Sequence, residues 1–321
     1  MKKNVIRLLS GFVFLSLLTV NAFAAELLIP VGQVIGLELY NDAVIVAAFD
    51  DSLQAARGAG LQIGDEITHI DGRTIDTGED VRRALRESDG SVDVTVIRGG
   101  KEQTVHIEPH ITAQGPKLGV CLRQGITGIG TVTWYDPQTG SFATLGHAVS
   151  DSKGNLLKMT RGNAYPATVV SVRKGKTGTP GQLKGALNTD VLLGTIQSNK
   201  TQGVFGTAPG AWEGESIPVA SCEEIRTGGA VIRSTVSGGT PRDYSVEIVR
   251  LYPQNRPDGR NMLIRVTDPE LLEATGGIVQ GMSGSPIIQD GKLIGAVTHV
   301  LVNDPTRGYG IFIENMLEAA G

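Results

Sequence analysis

The residues best suited to chemistry lie in one short run, Gly281-Met282-Ser283-Gly284-Ser285-Pro286. Small residues on both sides of Ser283 let the backbone turn tightly enough for successive N–H groups to converge on one point. Such a point stabilises an oxyanion, and the N–H groups of Gly281 and Ser283 are the expected donors. A serine hydroxyl also needs a base to take its proton. His147, in Leu145-Gly146-His147-Ala148, is the lead candidate: a histidine in a glycine turn at the end of a strand. His299 is the rival, 16 residues past Ser283, where lining or packing the pocket is the expected role. His106 and His110 have i, i+4 spacing, but Pro109 between them argues against a helical metal pair. His69 fits a solvated strand position. A carboxylate must orient the imidazole. Asp190, 43 residues after His147, and Asp268, 15 residues before Ser283, both qualify, and spacing does not choose between them.

Holding these groups in place requires rigid strands. Ile287 to Val297 reads as a hairpin turning at Asp290-Gly291. The serine run followed by such a hairpin resembles the nucleophile loop of chymotrypsin-like serine peptidases. From Leu118 onward, short Val-, Ile- and Thr-rich runs alternate with glycine turns, as in Gly130–Tyr135, Ala167–Val172 and Tyr244–Leu251. That spacing predicts a pair of β-barrels or a sandwich, with one late helix at Glu314–Ala319. An α/β-hydrolase is excluded, because position 285 is Ser rather than Gly and no βαβ repeat appears. Gly175-Lys176-Thr177 is no phosphate-binding loop, since the earlier glycine such a loop needs falls on Val170.

Residues 25–110 predict a small mixed unit. Val44–Phe49 is a buried strand and Ser52–Arg57 a short helical turn. Gly60-Leu61-Gln62-Ile63-Gly64-Asp65-Glu66-Ile67-Thr68-His69-Ile70-Asp71-Gly72 comes next, followed by a helix to Arg86 and a hairpin around Gly99-Gly100. This order and the Gly-Leu-x-x-Gly-Asp motif resemble a PDZ domain. The resemblance implies a peptide groove near Val34–Leu39, where the N–H groups of Ile35, Gly36 and Leu37 would receive a carboxylate or a peptide strand. Residues 111–117 read as a linker and 118–321 as the second domain.

Composition narrows the class. Of 321 residues, 40% are apolar and 19% charged, enough to bury real cores. Lys and Arg total 29 against 33 Asp and Glu, which argues against the basic surface a nucleic acid needs. With only Cys121 and Cys222, a disulfide framework and a four-thiolate zinc site are excluded; whether the two pair is open. The 43 glycines and 5% aromatics favour short strands and tight turns. Lys2, Lys3 and Arg7, the apolar run Leu8–Val20 and Ala22-Phe23-Ala24 form an export pattern with cleavage expected before Ala25. Retention as a single membrane anchor is the alternative for this signal peptide, residues 1–24.

The leader, the PDZ-like unit, Gly146-His147-Ala148-Val149-Ser150-Asp151, Val266-Thr267-Asp268-Pro269 and the stretch Thr275–Glu314 together resemble the stage IV sporulation protein B (SpoIVB) peptidases. The resemblance implies a fold that is mainly β with some α: a PDZ-like α+β domain, then a chymotrypsin-like (trypsin-like) double β-barrel peptidase domain. It implies a serine endopeptidase with Ser283 as nucleophile, His147 as base and Asp268 as the third member; no cofactor or metal is expected. It further implies export to the forespore intermembrane space or cell envelope and self-cleavage. Cleavage of a membrane-held regulator of an intramembrane protease would then trigger pro-sigma-K processing. The region between leader and PDZ-like unit is almost absent here, so self-cleavage sites within it are not expected. The alternative is a catalytically silent PDZ/peptidase-like module that tethers envelope partners.

Overall fold

The computed structural model describes residues 27–151 and 154–321; the expected signal peptide lies outside the described residues. Among those described, no helix is long and apolar enough to cross a membrane. The chain begins with β1 (Leu27–Pro30), the 16-residue β2 (Val34–Phe49) and α1 (Ala55–Ala59). β3 (Glu66–Ile70), β4 (Arg73–Thr74), α2 (Gly78–Arg86), β5 (Val92–Arg98) and β6 (Lys101–Ile107) follow. Next come β7 (His110–Thr112), β8 (Gly115–Lys117), the 16-residue β9 (Val120–Tyr135) and β10 (Ser141–Thr144). Then β11 (Arg161–Arg173), β12 (Gln182–Leu187), β13 (Gly194–Lys200), β14 (Gly203–Thr207) and β15 (Ile217–Pro218). The last third holds β16 (Gly228–Ser234), β17 (Arg242–Leu251), β18 (Met262–Val266) and α3 (Pro269–Thr275). β19 (Pro286–Gln289), β20 (Lys292–Leu301), β21 (Asp304–Phe312) and α4 (Ile313–Ala320) complete it.

Two closed six-stranded barrels result, as expected. The first runs β9-β10-β14-β13-β11-β2 and closes through the β2–β9 pair; the second runs β16-β17-β18-β21-β20-β19. The first barrel is filled by Leu37, Leu39, Val132, Phe142 and Ile196, the second by Ile232, Ile248, Ile264, Met282 and Ile287. Between them, Trp134, Ala143 and Phe205 pack on Ala296, Ile311 and Met316.

The PDZ-like unit is nested rather than placed in front. Val34–Tyr40 belongs to the first barrel, with β11 on one side and β9 on the other. Beyond a register shift between Leu39 and Val44, the same two strands continue outward, where Val44 and Ile45 pair with β3. Val44, Val46, Ile67, Val81, Leu85, Val94 and Ile107 form a separate small core there. The units expected at 25–110 and 118–321 thus share two strands: alternating apolar residues on both halves of β2 and β9 suit them equally to two cores. The expected linker 111–117 also gains order, because β7 and β8 pair as a hairpin.

In the Gly-Asp turn, the Asp65 side chain is only 1% exposed and takes two bonds from Arg98, at 2.7 and 2.6 Å, plus one from Gln62 N–H. Burial alone would raise the Asp65 pKa; the Arg98 and Gln62 donors reverse that and hold it below the usual carboxylate value. A depressed folded pKa stabilises above the unfolded value, and that contribution fades as pH falls through the folded one. Asp65→Asn, which strands Arg98, is expected to cost about 3 kcal/mol in urea unfolding at pH 7. The gap from wild type should shrink below about pH 4.

Candidate active site

The serine loop joins α3 to β19 and depends on two left-handed glycines, Gly281 (φ 100°) and Gly284 (φ 95°). A Cβ on Gly284 would lie 1.9 Å from the Thr131 carbonyl oxygen, so only glycine fits. The loop is pinned from within by Ser285 N–H to Met282 O at 3.0 Å, and to β20 by Gly284 N–H to Val297 O at 2.7 Å. It is pinned from the other barrel by β9. Thr131 N–H donates to Ser283 O at 2.9 Å, and the Thr131 and Thr133 hydroxyls donate to the Gly281 and Gly284 carbonyls, each at 2.8 Å. Among the described residues neither the Gly281 nor the Ser283 N–H is taken by a protein acceptor. These two are the donors the sequence nominates for an oxyanion.

His147 follows a turn in which Leu145 (φ 70°) and Gly146 (φ 67°) are both left-handed. For leucine that conformation costs about 1–3 kcal/mol, strain of the kind concentrated at functional sites. A Cβ on Gly146 would press on Thr298 Cγ2 at 3.0 Å, so the turn sits hard against β20. His147 Nδ1 lies 2.9 Å from the Ala148 carbonyl oxygen. A carbonyl only accepts, so Nδ1 carries the proton and the lone pair falls on Nε2, the form a general base needs. Burial pushes the His147 pKa down, with the Ala148 bond acting weakly the other way.

Ser283, His147 and His299 line one cavity of about 530 Å³, walled by apolar residues such as Leu39, Ile126 and Leu145 on the first barrel and Ile278 and Val300 on the second. The His147 and His299 rings lie 4.9 Å apart. Burial, reinforced by His147, pushes the His299 pKa down to about 4, and its buried Nδ1 has no hydrogen-bond partner among the described residues. The Ser283 hydroxyl donates to the Thr298 carbonyl at 2.7 Å rather than to His147. Nucleophile and base therefore share a cavity, and the hydroxyl must turn before they meet.

The other groups singled out in the sequence have partners away from His147. Asp268 caps α3: its Oδ1 accepts from Leu271 N–H at 3.0 Å and its Oδ2 from Ser245 N–H at 3.3 Å. Pro269 opens that helix, and an aspartate just before such a proline is placed as its N-cap. Asp190, the other candidate, sits in an exposed turn against Asn188. Neither carboxylate bonds to His147. Ile35, Gly36 and Leu37 have no free backbone edge, because β9 and β11 pair with them on both sides. The cysteines are free thiols, Cys121 exposed and Cys222 against Glu314 with its pKa pushed up to about 12, chiefly by burial. The sequence reading passed over Thr131, Thr133, Thr298 and the Ala148 carbonyl; the alternate threonines of Gly130-Thr131-Val132-Thr133 were the one available signal.

Barrels that meet over a glycine-pinned serine loop, with a buried histidine across the cavity, define a double-barrel serine peptidase. Its kinship is specific: the SpoIVB peptidase S55 family matches residues 114–317, and the chain belongs to that family. A PDZ domain matches residues 34–108. A zinc metalloprotease by name, Atu1380 of Agrobacterium fabrum, is 29% identical over 167 residues, 52% of this chain and 41% of the relative. The chain thus spans less than half the length of that curated relative. Among the described residues no cluster of three or more His, Cys, Asp or Glu side chains is placed to hold a metal ion. Among solved structures, the active form of the Rv3671c protease of M. tuberculosis overlaps 61% of this chain and 73% of its own, at 17% identity and TM-score 0.37. The PDZ domain of the SdrC-like protein Lmo2051 of Listeria monocytogenes overlaps 26% and 92%, at 24% identity and TM-score 0.23.

Two outcomes follow from this geometry. Since the base must be unprotonated and its pKa is depressed, the acid limb of kcat/KM should fall below the ordinary histidine value of about 6.5. A pH profile of peptide cleavage reads this directly. Asp268→Asn keeps a capping side chain, so kcat/KM should change little, where loss of an orienting triad carboxylate costs about 10⁴.

Proposed function

We propose that this protein is an exported serine endopeptidase that cleaves itself or a membrane-associated protein regulator, in signalling of the kind that leads to pro-sigma-K processing during sporulation. The observation that carries the enzymatic part is the shared cavity: Ser283 and His147 on its wall, with the free N–H groups of Gly281 and Ser283 beside them. The Ser283 hydroxyl leaves Thr298, gives its proton to His147 Nε2 and attacks the scissile carbonyl. The oxygen then gains negative charge under the two N–H groups. His147 passes the proton to the departing amine, and water, activated by the same nitrogen, hydrolyses the acyl-serine. The Ala148 carbonyl holds the tautomer throughout. Family membership and the export pattern of residues 1–24 support the signalling and compartment parts of the reading.

One observation favours the rival, a silent tethering module: the Ser283 hydroxyl rests on Thr298 rather than on the base. A fluorophosphonate probe with intact-mass analysis separates the two. Wild type should label at Ser283 or cut itself; Ser283→Ala should do neither, and its turnover should fall by about 10⁶. Equal cleavage by both proteins would remove Ser283 from the mechanism.

A further inference from the structure

β9 is paired to β2 along one edge from Val120 to Thr131. Its other edge is paired only at the far end, where Val132–Tyr135 meets β10. At Thr131 that second edge bonds to the serine loop and, through its carbonyl, to Leu145 N–H at 3.4 Å. From Gly130 back to Val120, no strand among the described residues occupies it. Strand groups alternate sides, so with Thr131 facing this edge, Ile129 and Thr127 face it too.

Both ends of the open edge lie in hollows. Ile126, Gly128 and Ile129 border the catalytic cavity. Val120, Leu122 and Gln124 border a groove of about 860 Å³ against α2, whose Val81 and Leu85 also line it. A strand edge facing a helix across a groove is the geometry in which an extended peptide adds to a sheet. Bare edges are normally blunted or covered, and this one is left bare inside a cleft.

We propose that a single extended polypeptide adds to the open edge of β9 and occupies cavity and groove at once, with the segment C-terminal to the scissile bond in the groove. The proposal rests on the peptidase reading above and deepens it. Direction comes from the fold: every pairing between named strands is antiparallel, and β9 runs from groove to cavity. An antiparallel substrate therefore runs from cavity to groove. At about 3.3 Å per residue, Val120 to Ile129 calls for roughly ten residues after the cut. At the waist, Gln124 crosses to the start of α2, bonding Asp76 O and Gly78 N–H, and the incoming strand displaces that side chain.

The rim sets the substrate's charge. Arg82, Arg86, Lys117 and Arg161 line the groove against Asp50 and Glu79. Arg82 and Arg86 both pair with the same Glu79, so one of those two charges stays uncompensated. Arg161 lies over the Tyr40 ring, 4.3 Å from its centre. A net cationic rim over an apolar floor fits a tail carrying acidic residues or a free carboxylate beside apolar ones.

The test uses the full chain and the first bond it cuts in denatured casein. Synthetic peptides keep the N-terminal half constant and place about 12, 9, 6 or 3 residues after that bond, with acidic or neutral tails. Shortening from 12 to 3 should lower kcat/KM by about 10²-fold through KM, and acidic tails should outperform neutral ones. Thr127→Pro, which removes an edge-facing N–H from an exposed residue, should flatten the length dependence, as should Arg82→Glu with Arg86→Glu; thermal midpoints near wild type confirm that the variants fold. Cleavage independent of C-terminal length, or a length dependence the variants leave intact, overturns this inference and leaves the peptidase reading standing. Absence of both cleavage and fluorophosphonate labelling overturns the two together.

Discussion

The site depends on the hold that β9 has on the serine loop. The Thr131 amide and hydroxyl and the Thr133 hydroxyl reach from one barrel into the other and satisfy three successive-turn carbonyls, those of Gly281, Ser283 and Gly284. Thr131 and Thr133 are themselves fully buried. Buried carbonyls without partners would each cost about 1–3 kcal/mol, so the barrels are locked in register by need rather than by shape alone. With the carbonyls turned toward β9, the Gly281 and Ser283 N–H groups are left pointing elsewhere. The second serine of the motif belongs to the same lock: Ser285 is completely buried and its hydroxyl meets Ser234 at 2.9 Å.

Across the cavity, burial disfavours the charged forms of His147 and His299. A carbonyl in place of a carboxylate fixes the His147 tautomer while adding no negative charge to stabilise an imidazolium. His299, held neutral by burial and by its neighbour, fills the space behind. The result is a base weaker than one backed by aspartate, resting beside a serine whose proton is occupied by Thr298. Such a site stays at rest until the Ser283 hydroxyl leaves the Thr298 carbonyl.

Much of this was legible in the residues. Gly281 and Gly284 announced the left-handed turns they adopt, and Leu145-Gly146-His147 announced a turn ending in a base. The Gly-Asp run of the PDZ-like unit was equally clear, because Asp65 and the left-handed Asp71 and Gly72 act locally. Long-range matters were less legible. Asp268 is a triad member by family resemblance, spacing leaving it level with Asp190, while Pro269 beside it makes a helix start that Asp268 caps. Val34–Leu39 and Val44–Phe49 read as separate segments; in the fold they are one strand with an irregularity between Leu39 and Val44, shared by the two units. Nor does periodicity say which edges of a strand are filled, so Ile35–Leu37 looked open while β9 was not considered.

The nesting has a topological consequence. The chain enters the PDZ-like unit after Leu39 and leaves it at Gly125, and these two points touch. A Cβ on Gly125 would lie 1.9 Å from the Leu39 carbonyl oxygen, and Gly125 N–H donates to the Asn41 side chain at 3.1 Å. The whole unit therefore sits at the tip of a two-strand hairpin whose barrel strands it leaves in place. The PDZ-like unit is thus joined to the catalytic scaffold through the same two strands that build the site.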